Sequence, residues 1–127
     1  MSDGSDLLYF VDGETLKVQR KIRVYDPALS KSIKNLNELE FAKGHIYANV
    51  WHQDLLVKID PETGYVVKSW NLTSLVLTEM AFQKDFKIDG KYEGDTLNGV
   101  AFSSNSDSFF LSGKKFHLIF KLKLNEE

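Results

Sequence analysis

The sequence predicts an all-β fold, a partial β-propeller of about two to two and a half blades built from antiparallel four-stranded sheets. Short apolar stretches alternate with turn sequences along most of the 127 residues. Two hairpin sequences parallel each other, VDGETLKVQRKI and IDPETGYVVKSW, and LNELEF is echoed by LNGVAF. Internal repeats of this size are typical of propellers and similar arrays rather than of one small closed barrel.

The first element is the end of one blade, predicted for residues 7–24. LLYFV and VQRKIRV are its two strands, and DGET is the turn that joins them. Arg20 interrupts the apolar face of the second strand, so we expect that strand to be partly exposed. The polar segment 25–34, which contains a proline, is predicted to be a connector.

Residues 37–72 are predicted to form a complete blade. The strands NELEF, HIYANVW, LLVKI and YVVKSW are separated by the turns AKG, HQD and DPETG. In the last turn proline presets φ at the second position, and Gly64 tolerates a positive φ at the end. Side chains along the second strand point alternately to its two faces. This places Ile46, Ala48 and Val50 on one face and Tyr47, Asn49 and Trp51 on the other.

An incomplete last blade is predicted for residues 97–124. LNGVAF repeats the first strand of the complete blade, SFFLS follows it, and HLIFKLKL is predicted to be a long strand. Residues 74–95 break the pattern and are predicted to be an insertion, a short helix followed by a loop. The prediction is therefore a single partial propeller domain over residues 1–127.

Composition excludes several classes of function. A net charge of −2 without a clustered basic face argues against a nucleic-acid partner. The absence of cysteine excludes disulfides and thiol catalysis. No apolar stretch approaches the roughly 20 residues of a membrane-spanning helix, so no membrane partner is predicted. The first residues lack the pattern of a signal peptide, and the compartment is left unassigned.

The three histidines and two glutamates are candidates for a metal site or for acid–base catalysis. His45, His52 and His117 lie in no recognised ligand spacing, so no metal site is predicted. Glu38 and Glu40 are two positions apart, which places them on one face of a strand. That pattern fits acid–base chemistry, but a solvent-exposed acidic face is the commoner arrangement.

LNELEF, GHIYANVW, DLLVKIDPETG, LNGVAF and SGKKF, in this order and spacing, resemble the glutaminyl-peptide cyclotransferases of plants and bacteria, also called glutamine cyclotransferases. The opening SDGSDLLYFVDGETLKVQRKIRV is similar to a mid-chain segment of that family. The resemblance implies a five-bladed propeller. At roughly 40 to 50 residues per blade, such a propeller is about twice as long as this chain. This chain resembles its C-terminal half.

The resemblance also implies an activity, the conversion of an N-terminal glutamine to pyroglutamate with release of ammonia and without a metal or redox cofactor. Its implied partners are peptides or proteins with N-terminal glutamine, and family members are often secretory or extracytoplasmic. Because the chain resembles only half of a propeller, self-association or a complementary N-terminal half is a further expected partner.

Site residues follow from the resemblance position by position. Asn37 matches a pocket asparagine that would donate to a substrate carbonyl, and Trp51 matches a pocket tryptophan that would form an apolar wall. Lys114 matches the lysine of a Gly-Lys motif, which would steer a carbonyl or balance charge. Asn98 is the internal echo of Asn37 and is predicted by symmetry to point toward the central channel. The alternative role of Asn37 is a turn-capping amide, that of Trp51 is a core aromatic, and that of Lys114 is a solvated turn lysine.

This sequence departs from the family pattern in two respects. The Phe-Gly-Glu-Gly-like motif that carries the family's catalytic glutamate, and a Phe-Thr-Gln-Gly-like motif, do not occur in it, so the catalytic residue is unknown. After Lys114 the family has Leu-Trp-Pro, where this sequence has KFH. Two functions stay open: a peptide cyclotransferase, and a truncated, non-catalytic propeller fragment that binds peptides or proteins.

Overall fold

The structure, a computed structural model, describes residues 1–86 and 97–126. These residues form short strands and one helix. The elements are β1 (Leu7–Val11), β2 (Val18–Arg23), β3 (Tyr25–Asp26), β4 (Lys31–Ser32), β5 (Leu36–Ala42), β6 (His45–Val50), β7 (Leu55–Ile59), β8 (Val66–Asn71), α1 (Thr73–Asp85), β9 (Leu97–Ser103), β10 (Ser108–Gly113) and β11 (Phe120–Leu122).

The strands form antiparallel sheets in which chain neighbours are also sheet neighbours. One sheet pairs β1 with β2, a four-stranded sheet has the order β5-β6-β7-β8, and a three-stranded sheet has the order β9-β10-β11. Successive up-and-down sheets of this size are the building blocks of a propeller. The predicted all-β partial propeller is confirmed.

Strand β6 divides the core into two clusters. Every residue from Ile46 to Val50 is buried, because the sheet is covered on both faces. Ile46, Ala48 and Val50 pack into a cluster shared with β1 and β2, as the predicted alternation requires. Tyr47 packs on the opposite face against Phe109 of the three-stranded sheet, with ring centroids 4.6 Å apart. Each buried aliphatic or aromatic side chain of this kind stabilises the fold by about 1.5–3 kcal/mol.

The four-stranded and three-stranded sheets pack against each other side by side. Three polar contacts link the two sheets: Asn49 Oδ1 accepts the N–H of Gly99 at 3.0 Å, Glu40 Oε1 accepts the N–H of Phe102 at 3.1 Å, and Lys43 Nζ pairs with Asp107 Oδ1 at 2.9 Å. The contacts follow the same order along β5 and β9, from the beginning of each strand to the turn after it, so the two strands run in the same direction. Their first residues therefore lie at the same end of the molecule.

The connector predicted for residues 25–34 contains the short pair β3 and β4, which the sequence analysis missed. Val24 and Ile33 flank this pair and are buried, and the N–H of Ile33 donates to Val24 O at 3.0 Å. Burial of these two side chains holds an otherwise polar segment against the core.

The predicted long strand HLIFKLKL is wrong in length, because β11 covers only three residues. The N–H groups of His117 and Leu118 donate instead to the side chain of Glu79, at 2.7 and 2.9 Å. A backbone N–H used in this way is not available to a strand ladder, so pairing with β10 begins only beyond these residues.

The segment predicted to be an insertion with a short helix begins with α1, which extends to Asp85. The loop predicted after the helix falls largely on residues 87–96, which lie outside the described residues. In the part of the chain that the structure describes, no helix is long and apolar enough to cross a membrane.

Candidate functional site

The predicted site residues of the four-stranded sheet lie at the end where β5 begins and β6 finishes. Leu36 is paired with Val50, and the N–H of Trp51 donates to Asn35 O at 2.8 Å. A cavity of about 190 Å³ opens at this end. It is lined by Ser2, Asp3, Gly4, Asn35, Leu36, Asn37 and Trp51. Asn37 and Trp51 therefore share one cavity.

Asn37 is placed by an irregularity in its strand. The pairing between β5 and β6 shifts between Leu36 and Leu39, so Asn37 lies in a bulged part of the ladder. A bulge bends the strand locally and re-aims a side chain, and bulges are frequent beside binding sites. The backbone carbonyl of Asn37 accepts a hydrogen bond from Ser2 Oγ at 3.0 Å, and the residue is half-buried.

Trp51 lies just beyond the end of β6, and 45% of its surface is exposed. Its ring packs on His52, with centroids 3.8 Å apart. It is therefore not one of the buried core aromatics. An exposed aromatic face with one N–H donor can cover a short aliphatic side chain.

The three-stranded sheet presents Asn98 and Lys114 at corresponding positions. Leu97 pairs with Gly113, as Leu36 pairs with Val50 in the neighbouring sheet. Asn98 is the second residue of its inner strand and is half-buried, while Lys114 is the first residue after the second strand and is exposed. All four predicted residues thus lie at the same end of two neighbouring blades, and their roles in binding remain predictions.

A hydrogen bond to a buried side chain fixes the two blades relative to each other at this end. Asn49 is fully buried, and its Oδ1 atom accepts the N–H of Gly99, the residue after Asn98. The Nδ2 atom of Asn49 is buried and has no hydrogen-bond partner among the described residues. The bond fixes where Asn98 lies relative to Asn37.

Glu79, which the sequence analysis did not single out, holds the loop that carries Lys114. It projects from α1, is 1% exposed, and accepts the N–H groups of His117 and Leu118. Burial alone would raise the pKa of the Glu79 carboxyl, but the hydrogen bonds from His117, Gln83 and Leu118 outweigh burial and lower the pKa. The loop is thus tied to an ionised carboxylate.

Glu38 and Glu40 do not form an acid–base pair. Glu38 is exposed, whereas Glu40 is half-buried and uses Oε1 to accept the N–H of Phe102. Glu40 also borders a larger cavity of about 370 Å³ between β1 and β5. That cavity is mostly apolar, and Glu40, the one carboxylate in its lining, already has a structural partner. The smaller cavity, which the predicted residues Asn37 and Trp51 line, is therefore the candidate site.

Asp3 is the carboxylate that the structure does bring to the smaller cavity. The hydroxyl and N–H of Ser5, and the hydroxyl of Tyr9, donate to it. The hydrogen bonds from Ser5 are the main cause that holds the pKa of the Asp3 carboxyl below its usual value. No sequence pattern could have revealed this residue, because it lies 34 positions before Asn37 along the chain.

The three histidines lie in different surroundings. They contact, respectively, the carbonyl of Lys43 (His45, 3.1 Å), the ring of Trp51 (His52) and the carboxylate of Glu79 (His117, 3.3 Å). Within residues 1–86 and 97–126, no group of three or more His, Asp or Glu residues is arranged to hold a metal ion.

Comparisons with known proteins point to one family. Residues 1–124 match the sequence model of the family described as glutamine cyclotransferase. A glutaminyl-peptide cyclotransferase of Arabidopsis thaliana is 32% identical over 126 residues, which are 98% of this chain and 36% of that protein. The crystal structure of Myxococcus xanthus glutaminyl cyclase matches with a TM-score of 0.82 at 30% identity, over 94% of this chain and 48% of that one. This chain therefore spans half or less of the length of these relatives.

Proposed function

Because the chain belongs to the glutamine cyclotransferase family, we propose that it binds peptides with an N-terminal glutamine at the cavity formed by Asn37 and Trp51 and contributes to their cyclisation. One observation carries this proposal. Asn37, Trp51 and Lys114 are selected by family resemblance and Asn98 by the internal repeat. These four residues are far apart in sequence, yet they lie at the same end of two adjacent blades, and two of them line one cavity.

The reaction explains why such residues are needed. The α-amine of the glutamine attacks its own γ-carboxamide carbon, a C–N bond forms, and ammonia leaves with a proton that originates on the amine. The glutamine must be folded back on itself, so a site that holds this conformer removes an entropic barrier. Trp51 would pack on the folded stem, and the amides of Asn37 and Asn98 would donate to carbonyl oxygens as negative charge develops.

Lys114 has a supporting role in the proposal. It is exposed at the position that corresponds to Trp51 in the neighbouring blade, on a loop that Glu79 holds. A flexible ammonium group at this place would add a positive charge to the end of the site where carbonyl oxygens are bound.

Proton transfer is the step that this cavity does not explain. A general acid–base group works best with a pKa near the operating pH. Asp3, whose pKa lies below its usual value, does not meet that requirement. This observation favours the second candidate function, a propeller fragment that binds peptides without converting them.

A mass assay distinguishes the two candidates. The purified, folded chain is given a short peptide with N-terminal glutamine, and the loss of one ammonia is measured together with binding by calorimetry. Turnover that falls on the order of tenfold or more in Trp51→Ala and Asn37→Ala supports the cyclotransferase function. Binding without turnover supports the binding module.

Tyr65→Ala is the matched control. Tyr65 is also a half-exposed aromatic residue, but it follows the turn between β7 and β8, at the opposite end of the same sheet. It should leave binding and turnover unchanged. A folded chain that neither binds nor converts the peptide would contradict both candidate functions.

A further inference from the structure

We propose that Asp3 binds the α-ammonium group of the peptide and so makes the site specific for a free N-terminus, an inference that rests on the proposed function. Nothing in the resemblance or in the family comparison assigns a role to this residue. It is proposed because it is the carboxylate that lines the cavity shared by Asn37 and Trp51.

The backbone around Asp3 is fixed to the strand that carries the site. On one side, Ser2 Oγ donates to Asn37 O at 3.0 Å. On the other side, the N–H of Asn35 donates to Gly4 O at 2.9 Å. Asp3 lies between these two attachments, so its side chain stays next to the beginning of β5.

The carboxylate itself is oriented but not saturated. Oδ1 accepts both the N–H and the hydroxyl of Ser5, and Oδ2 accepts the hydroxyl of Tyr9 at 3.1 Å. An ionised carboxylate has about four acceptor positions, so one on Oδ2 is left for a further donor. Among the described residues, no lysine, arginine or histidine forms an ion pair with Asp3. Its charge is therefore free to pair with a cation in the cavity.

The proposed substrate supplies such a cation. An α-amino group has a pKa of about 7.7–8.0, so at neutral pH it arrives mostly as an ammonium ion. Asn37 and Trp51 are neutral and do not distinguish an ammonium from an acylated amine. A charge-assisted hydrogen bond from the ammonium to Oδ2 makes that distinction. The lowered pKa of Asp3 keeps the carboxylate ionised wherever the ammonium is present.

The test compares two peptides that differ only at the amine. Calorimetry at neutral pH measures the Kd of a short peptide with N-terminal glutamine and of the same peptide with its amine acetylated. The unchanged chain should bind the free amine at least about tenfold more tightly. Asp3→Asn should lose most of that preference, because it should weaken the binding of the free-amine peptide and leave the Kd of the acetylated peptide unchanged.

Asp3→Asn is chosen because an amide oxygen can still accept from Ser5, and circular dichroism and thermal unfolding report whether the fold is kept. Glu62→Gln is the matched control. It removes the same charge from an exposed position in the turn at the opposite end of the sheet. It should leave the preference intact.

The outcomes separate this inference from the proposed function. The role of Asp3 is overturned, and the proposed function stands, if Trp51→Ala weakens the binding of both peptides while Asp3→Asn keeps the preference for the free amine. The same conclusion follows if the unchanged chain binds the two peptides equally well. If the folded chain binds neither peptide, both are overturned.

Discussion

Leu16 and Gly64 occupy the same position in two copies of one turn. In each copy an aspartate, Asp12 or Asp60, accepts the N–H groups of the second and third residues after it. The backbone then adopts a positive φ, 58° at Leu16 and 78° at Gly64. Only Gly64 is crowded, since a Cβ there would collide with the backbone oxygen of Arg23. The repeated sequence thus folds the same way twice but packs differently.

Leu16→Gly should raise the free energy of unfolding by up to about 1 kcal/mol. A left-handed backbone costs an L-residue about 1–2 kcal/mol, and the greater freedom of glycine in the unfolded chain offsets part of that gain. Urea denaturation measures the difference. A clear loss of stability would mean that the exposed Leu16 side chain makes a contribution that its 76% exposure does not suggest.

Gly64→Ala should lower the free energy of unfolding by at least about 2 kcal/mol, because the new methyl group adds a backbone collision to the left-handed strain. Gly13→Ala is the control. A Cβ at Gly13 meets no atom within 4 Å, and its φ lies outside the left-handed region. A Gly64→Ala protein as stable as Gly13→Ala would contradict the packing described between this turn and β2.

Helix α1 is the element whose buried side is polar. Glu79 and Gln83 are 1% and 2% exposed, whereas Leu77 and Met80 on the same helix are 58% and 51% exposed. The reason is the loop after β10, whose N–H groups need an acceptor that β11 does not provide. Glu79 supplies it, so the helix buries a carboxylate that is hydrogen-bonded, as a buried charge must be.

Glu79→Ala should lower the free energy of unfolding by about 1–3 kcal/mol, since it leaves two backbone N–H groups without their acceptor. Glu38→Ala, at an exposed acid, is the control and should change stability by less than about 0.5 kcal/mol. Urea denaturation at neutral pH compares the three proteins. Equal stability of all three would show that other acceptors serve these amides.

The same contact predicts a pH dependence. The pKa of Glu79 in the folded protein lies below its ordinary value of 4.5, so its stabilisation is complete above that value and is lost as the pH falls through the folded pKa. Thermal unfolding between neutral and acid pH should therefore show a smaller loss of stability for Glu79→Gln than for the unchanged chain. Parallel curves for the two proteins would refute this.

At the scale of the whole molecule, the residues after β11 join the three-stranded sheet to the four-stranded sheet. Glu126 accepts hydrogen bonds from the hydroxyl of Tyr47 and from Lys58 Nζ, the latter at 3.0 Å. The indole N–H of Trp70 donates to Asn125 O at 3.0 Å. These contacts reach β6, β7 and β8 in turn, so the end of the chain holds the blades together.

Glu126→Gln tests this connection through Tyr47. Burial is the main cause that raises the pKa of the Tyr47 hydroxyl above its ordinary value of 10.0, and the Glu126 carboxylate raises it further. Removing the charge should lower the pKa of Tyr47 but leave it above 10.0. A spectroscopic titration of the tyrosines measures this, with Glu14→Gln as the exposed control. An unchanged titration would mean that Glu126 does not reach Tyr47 in solution.

Local patterns in the sequence predicted most of the strands, except β3, β4 and the short extent of β11. The alternation along β6 predicted which side chains share a face, and proline and glycine in the turn from Asp60 to Gly64 predicted its shape. These features depend on neighbours a few positions away, where side-chain period and backbone preference act directly. Family resemblance then selected Asn37 and Trp51, which the β5–β6 hairpin brings to one cavity.

Only the tertiary structure decided which distant residues meet at and around that site. Asp3 reaches the cavity because the first residues fold over the beginning of β5, and Glu79 shortens β11 because α1 packs beside the loop after β10. Contacts of this kind join positions tens of residues apart, and they depend on how whole sheets and the helix pack. No local period or turn preference encodes them, because the same side chains would suit many other partners until packing selects one.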